Sequence, residues 1–243
     1  MFYSAPWEAD PRYQPSFYSV DGVYPGIYPY SFHYGQMNGI PYAQPLFPYL
    51  RSKSDPVQSS TCISKSEAEL NQVWRMLWEQ HVAWTRMLII SIAAGLPDEA
   101  QVTERLLRNV PDMAAVIKRY YGDEIASRFS ALMKEHLVLA AQLVKAAKAG
   151  NTQAAAEAEK KWYANADEIA AFLSSINPNW PKRVLMKMLH EHLRLTKDEA
   201  VFRLSGNYKS DIETYDQIEK QALEMADVFT AGIVKQFQNL FVK

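Results

Sequence analysis

Three histidines in this chain sit in one recurring local pattern. "LWEQHVAWTR" (77–86), "LMKEHLVLAA" (132–141) and "MLHEHLRLTK" (188–197) align on His81, His136 and His192. Each histidine follows an acidic or amide residue, precedes an aliphatic one, and has apolar residues at −4 and +3. Helical periodicity puts His81 on a stripe with Trp74, Trp78, Trp84 and Leu88, and His136 on one with Ile125, Phe129, Leu132, Leu139 and Leu143. His192 joins Leu185, Leu189 and Leu195 in the same way. When "YDQIEKQALE" (215–224) is set against these segments with Tyr215 at the −4 position, Glu219 takes the place of the histidine.

Three imidazoles and one carboxylate match a transition-metal site in number and type. Zinc, iron, manganese and copper all suit such donors, and the expected centre is a mononuclear His81–His136–His192–Glu219 site serving storage, sensing or redox chemistry. Ligation requires neutral imidazole with its other ring nitrogen held by a neighbour. Thr85 and Thr196, one turn beyond two of the histidines, and Asp216 and Glu199 are the residues expected to hold them. Two alternatives stand beside this reading: an unmetallated His–Glu–Thr polar network, and histidines that do not converge. A di-iron carboxylate centre is excluded, because it needs Glu-x-x-His pairs. The residues three before the histidines are Trp78, Met133 and Leu189. No phosphate-binding glycine loop, GxSxG, HExxH or calcium loop occurs.

The elements that must position these residues are helices. "SKSE" (64–67) has capping-box spacing and opens a periodic run to about residue 94. Gly95 and Pro97 mark a stop and restart, and a second segment, 98–121, is expected to break at "NVP" (109–111). Further helices are expected from 123 to about 149, from after Thr152 to 176, from Pro181 to about 204, and, capped by Ser210, to about 237. No strand pattern of useful length appears. Short turns make neighbouring helices antiparallel, so the expected fold is all-α: an antiparallel four-helix-type bundle with two accessory helical segments. At 1.5 Å per residue, each of the four candidate ligands lies roughly 18–23 Å from a turn, which brings them to one layer.

Residues 1–60 read differently from the helical domain at 64–243. They hold nine of the 14 tyrosines and nine of the 13 prolines, without helical or strand period. An extended, partly disordered Tyr/Pro-rich arm is expected, whose aromatic side chains suit contact with its own bundle, a second copy or a larger assembly. The alternative to metal chemistry is therefore a non-enzymatic structural protein that self-associates or assembles through the arm. A net charge of −1 gives no reason to expect nucleic acid or an anionic membrane as a partner. The longest apolar run, 87–96, is too short to span a bilayer. The single cysteine, Cys62, excludes an internal disulfide, and the start carries no signal-peptide pattern, so a cytoplasmic protein is expected.

The segment from about 77 to 237 resembles a family of helical proteins of spore-forming Firmicutes. The residues carrying the resemblance include "LWEQHVAWTR", "LLRNVPDMA", "YYGDEIASRF", "WYANADEIAAFL", "INPNW", "HEHLRLTKDEAV" and "YDQIEKQALEMADVF". The resemblance implies a ferritin- or hemerythrin-like bundle and a spore-associated or spore-coat location. Members of the family often carry the name acetylglutamate kinase, which no phosphate loop here supports.

Overall fold

The chain divides into two units, Met1–Gln58 and Ser59–Lys243. A computed structural model describes residues 63–242. The expectations for the arm and for Cys62 lie outside the described residues.

The described residues form an all-α bundle of six helices: α1 (Lys65–Ala94), α2 (Glu99–Tyr121), α3 (Asp123–Lys148), α4 (Thr152–Ile176), α5 (Lys182–Leu204) and α6 (Tyr208–Gln236), followed by a short 3-10 turn at Gln238–Leu240. Side-chain oxygens start three of them. Ser64 accepts from the Glu67 amide, Asn151 from Ala154, and Asn207 from Ser210, which satisfies amides that have no partner within the helix. The last helix therefore begins at an Asn207 cap, a turn before the expected Ser210. Gly95, at φ 66°, ends α1 in the left-handed conformation that glycine adopts without a Cβ penalty.

The expected break at 109–111 does not occur. Pro111 lies inside an unbroken α2. It sits on the exposed side of the helix, where water can satisfy the carbonyl that loses its donor. On the opposite side Leu106, Val110, Met113, Ala114 and Ile117 are buried and hold the helix on course.

Short turns reverse the chain at each step, and α6 packs back on α1 to close the set. The odd-numbered helices also meet one another: α1 touches α3 and α5, and α3 touches α5. The three helices that carry the histidines thus share the interior. Trp180, from the α4–α5 turn, is fully buried and donates its indole N–H to the Val228 carbonyl at 3.0 Å. Its ring lies so close over Gly232 that a Cβ there would overlap the indole. Among the described residues, no helix is long and apolar enough to cross a membrane.

Candidate functional site

All three histidines are inside the bundle, His81 at 2% exposure and His136 and His192 at 3%. The ring centroids of His81 and His192 are 5.6 Å apart. Charge on His192 or His136 would be felt at His81, and charge on His192 at His136, so the three rings lie within electrostatic reach of one another. Trp78 packs edge-on against both His81 and His192, with centroids at 5.3 and 6.1 Å, and Trp162 lies 5.4 Å from His136.

Two of the histidines are hydrogen-bonded to an amide on the next helix. His136 Nδ1 meets Asn165 Oδ1 at 3.0 Å, and His192 Nδ1 meets Gln221 Oε1 at 3.0 Å. The amide nitrogens then reach back to the helix that carries the histidine. Asn165 Nδ2 donates to the Leu132 carbonyl at 3.2 Å and Gln221 Nε2 to the Met188 carbonyl at 3.0 Å. Asn109 Nδ2 does the same to the Leu77 carbonyl at 2.9 Å. In all three cases the accepting carbonyl lies four residues before the histidine. The amides themselves, Asn109, Asn165 and Gln221, are equally spaced along the chain. One hairpin unit is repeated three times, in α1–α2, α3–α4 and α5–α6.

This relay fixes the chemistry of the rings. A backbone carbonyl only accepts, so it must face the NH2 side of the amide, and the amide oxygen must face the histidine. Nδ1 of His136 and His192 is then the protonated nitrogen and donates to that oxygen. Nε2 is left with its lone pair. In the α1–α2 hairpin the corresponding atoms, His81 Nδ1 and Asn109 Oδ1, are buried without a bonded partner, although the amide is near enough to favour the charged ring. Burial is the main reason that the imidazoles resist protonation. It pushes His136 down to about 3 and His192 to about 4, and it lowers His81 well below its ordinary value.

The other expected site residues are placed elsewhere. Glu219 is half-buried, and burial together with the neighbouring Glu219 carboxyl raises Glu79 above its ordinary value. The residue that α6 brings to the histidine layer is Gln221, two positions later. Asp216 is exposed. Thr85 and Thr196 donate to the backbone carbonyls of His81 and His192, at 2.7 and 2.8 Å, and not to a ring. Glu199 is buried but belongs to a separate ionic cluster. Arg86 Nη1 reaches Glu199 Oε1 at 2.5 Å and Asp211 Oδ1 at 2.7 Å, and Arg203 Nη1 reaches Asp211 Oδ2 at 3.2 Å. The second layer around the histidines is made of amides, not of threonines and carboxylates.

Among the described residues, no three His, Cys, Asp or Glu side chains are gathered closely enough to hold one metal ion as they stand. Polar atoms without a partner do collect at the layer. Of six such buried atoms, four belong to it or to the indoles against it: His81 Nδ1, Asn109 Oδ1, Trp78 Nε1 and Trp162 Nε1. No protein family, curated protein or solved structure matches the chain.

Proposed function

We propose that the three-histidine layer binds a transition-metal ion through His81, His136 and His192. The observation that carries this reading is the amide relay. It fixes two imidazoles, kept neutral by their burial, in one tautomer, with Nδ1–H donated to a fixed oxygen and Nε2 free to ligate, as metal-binding histidines are generally held. Two imidazoles bound to one zinc-type ion through nitrogens at about 2 Å have ring centroids about 5–6 Å apart. The His81–His192 pair stands at 5.6 Å. His136 would close the set by moving inward with Asn165. Glu219 has no place in this version of the site, so a bound ion keeps a fourth position for water or another small ligand.

A second reading is favoured by the same bonds. Asn165 and Gln221 use both ends of their amides within the protein, and a satisfied polar layer can serve only to fix helix register. One titration separates the two. Metal-free protein is expected to bind one equivalent of Zn2+ or Co2+ by calorimetry, with little proton release between pH 5 and 7 because the rings are already neutral, and with binding weakening towards pH 4 as they protonate. His192→Ala and His136→Ala are each expected to weaken binding at least about 100-fold, on the scale of a lost ligand or its support. Stoichiometric binding that survives both substitutions, or no binding to the unmodified protein, would leave the register reading in its place.

A further inference from the structure

The geometry points to a binding site for a small, uncharged, apolar molecule in the cavity one helical turn beyond the histidine layer. This goes beyond the metal reading and does not require it. The cavity has a volume of about 150 Å3 and lies among α1, α3 and α5, with α2 and α4 completing its wall.

Its position follows from an asymmetry repeated in each hairpin. Seven residues before the histidines stand Trp74, Phe129 and Leu185, all buried and all large. Four residues after them stand Thr85, Ala140 and Thr196, and all three line the cavity. The interior is therefore filled on one side of the layer and open on the other. Alanines keep it open, with Ala141, Ala155 and Ala200 on the wall alongside Ala140. Interiors normally close-pack, and a void of this size forfeits contacts that larger side chains would make.

The hydroxyl and charged groups on the wall are already engaged. The Thr85 and Thr196 hydroxyls donate to the carbonyls of His81 and His192. Lys197 Nζ donates to Glu159 Oε1 at 2.6 Å, in a pair that is 40% and 31% exposed and so marks the rim. The Trp162 indole N–H is the one buried donor among the lining residues without a partner, and it carries no charge to hold an ion, whereas Leu88, Ile89, Leu137 and Val144 offer aliphatic contact. Voids of comparable size with aliphatic and aromatic walls stay dry and accept benzene or xenon. The class of guest is a single-ring aromatic or a short alkyl chain.

Benzene is the probe, titrated calorimetrically into the full chain. One equivalent is expected to bind, and Tm is expected to rise by about 3–10 °C at ten- to hundred-fold excess over Kd. Benzoate, the same ring with a charge, is expected to bind at least about 100-fold more weakly. Ala140→Leu and Ala200→Val fill the space and are expected to abolish benzene binding. Circular dichroism checks that each variant is folded, and Ala140→Val replaces either one that is not. No benzene binding to the unmodified chain, equal binding of benzoate, or one-to-one benzene binding that persists in the folded, filled variants would overturn the inference.

Discussion

Between pH 6.5 and pH 4.5 the bundle is expected to lose most of its stability. His136 and His192 resist protonation in the folded state down to about 3 and about 4, and His81 is lowered as well. In the unfolded chain each takes up a proton near 6.5. The stability gained by keeping them neutral is therefore intact above 6.5 and drains away as pH falls towards the folded values, because the unfolded state binds more protons. At pH 4, His136 and His192 together account for a loss of about 6 kcal/mol, which is comparable with the whole stability of a typical domain.

Glu199 works against this. Burial outweighs Arg86 and raises it to about 7, so its folded form gains a proton before the unfolded one does. Its contribution is greatest below its ordinary value and is lost as pH rises to 7. Three histidines against one carboxyl leave a net uptake of about two protons on unfolding, or a slope of about 3 kcal/mol per pH unit. Urea unfolding followed at half-unit steps measures that slope directly. A stability that stays flat from pH 6.5 to 4.5 would mean that the rings are not held neutral inside the fold.

Arg86→Ala is expected to cost about 3–5 kcal/mol. Arg86 joins α1 to α5 and α6 by bonding Glu199 and Asp211, whose side chains are 2% and 1% exposed. Without the guanidinium, Glu199 is a buried carboxyl with no direct cation, and Asp211 keeps only Arg203. The Tyr215 ring, 4.7 Å from the guanidinium carbon, loses its partner too. Arg75 provides the internal control. It holds Asp227 with two contacts at 2.9 Å, but at 40% and 52% exposure. Arg75→Ala should cost no more than about 1 kcal/mol, because water already competes for that pair. Denaturant midpoints of the two variants compare the effects side by side. Similar losses from both would remove the argument that burial, and not the ion pair itself, sets the cost.

These effects explain what could and could not be read from the chain. The helices were legible because burial in a bundle imposes a 3.6-residue period and because Ser64, Gly95 and Asn151 punctuate it. Pro111 misled because a proline break is a local rule, whereas α2 is held by a buried stripe on the opposite face. The burial of the three histidines on matched segments was legible, and two of them, His81 and His192, stand close together. Their partners were not legible, because an amide carries no charge to mark it. Aligning Tyr215 with the −4 position puts Glu219 two residues before Gln221, which faces His192. The missing signal was present as a second regularity: an amide 29 residues after His136 and after His192, and Asn109 at nearly the same distance after His81. Amides attract less notice than carboxylates in a sequence, but they orient an imidazole equally well. Glu199, expected to hold a histidine, is bound instead by Arg86, which lies far away in sequence and which only the fold brings to it.

The histidine tautomers test the account most directly. Imidazole nitrogen NMR on 15N-histidine-labelled, metal-free protein at pH 7 distinguishes protonated from bare ring nitrogens. His136 and His192 are expected to carry their protons on Nδ1 with Nε2 bare, and Asn165→Leu and Gln221→Leu are each expected to release the corresponding ring from that state. Protons found on Nε2, or rings fully charged at pH 7, would contradict the amide relay and the ligand-ready layer built on it.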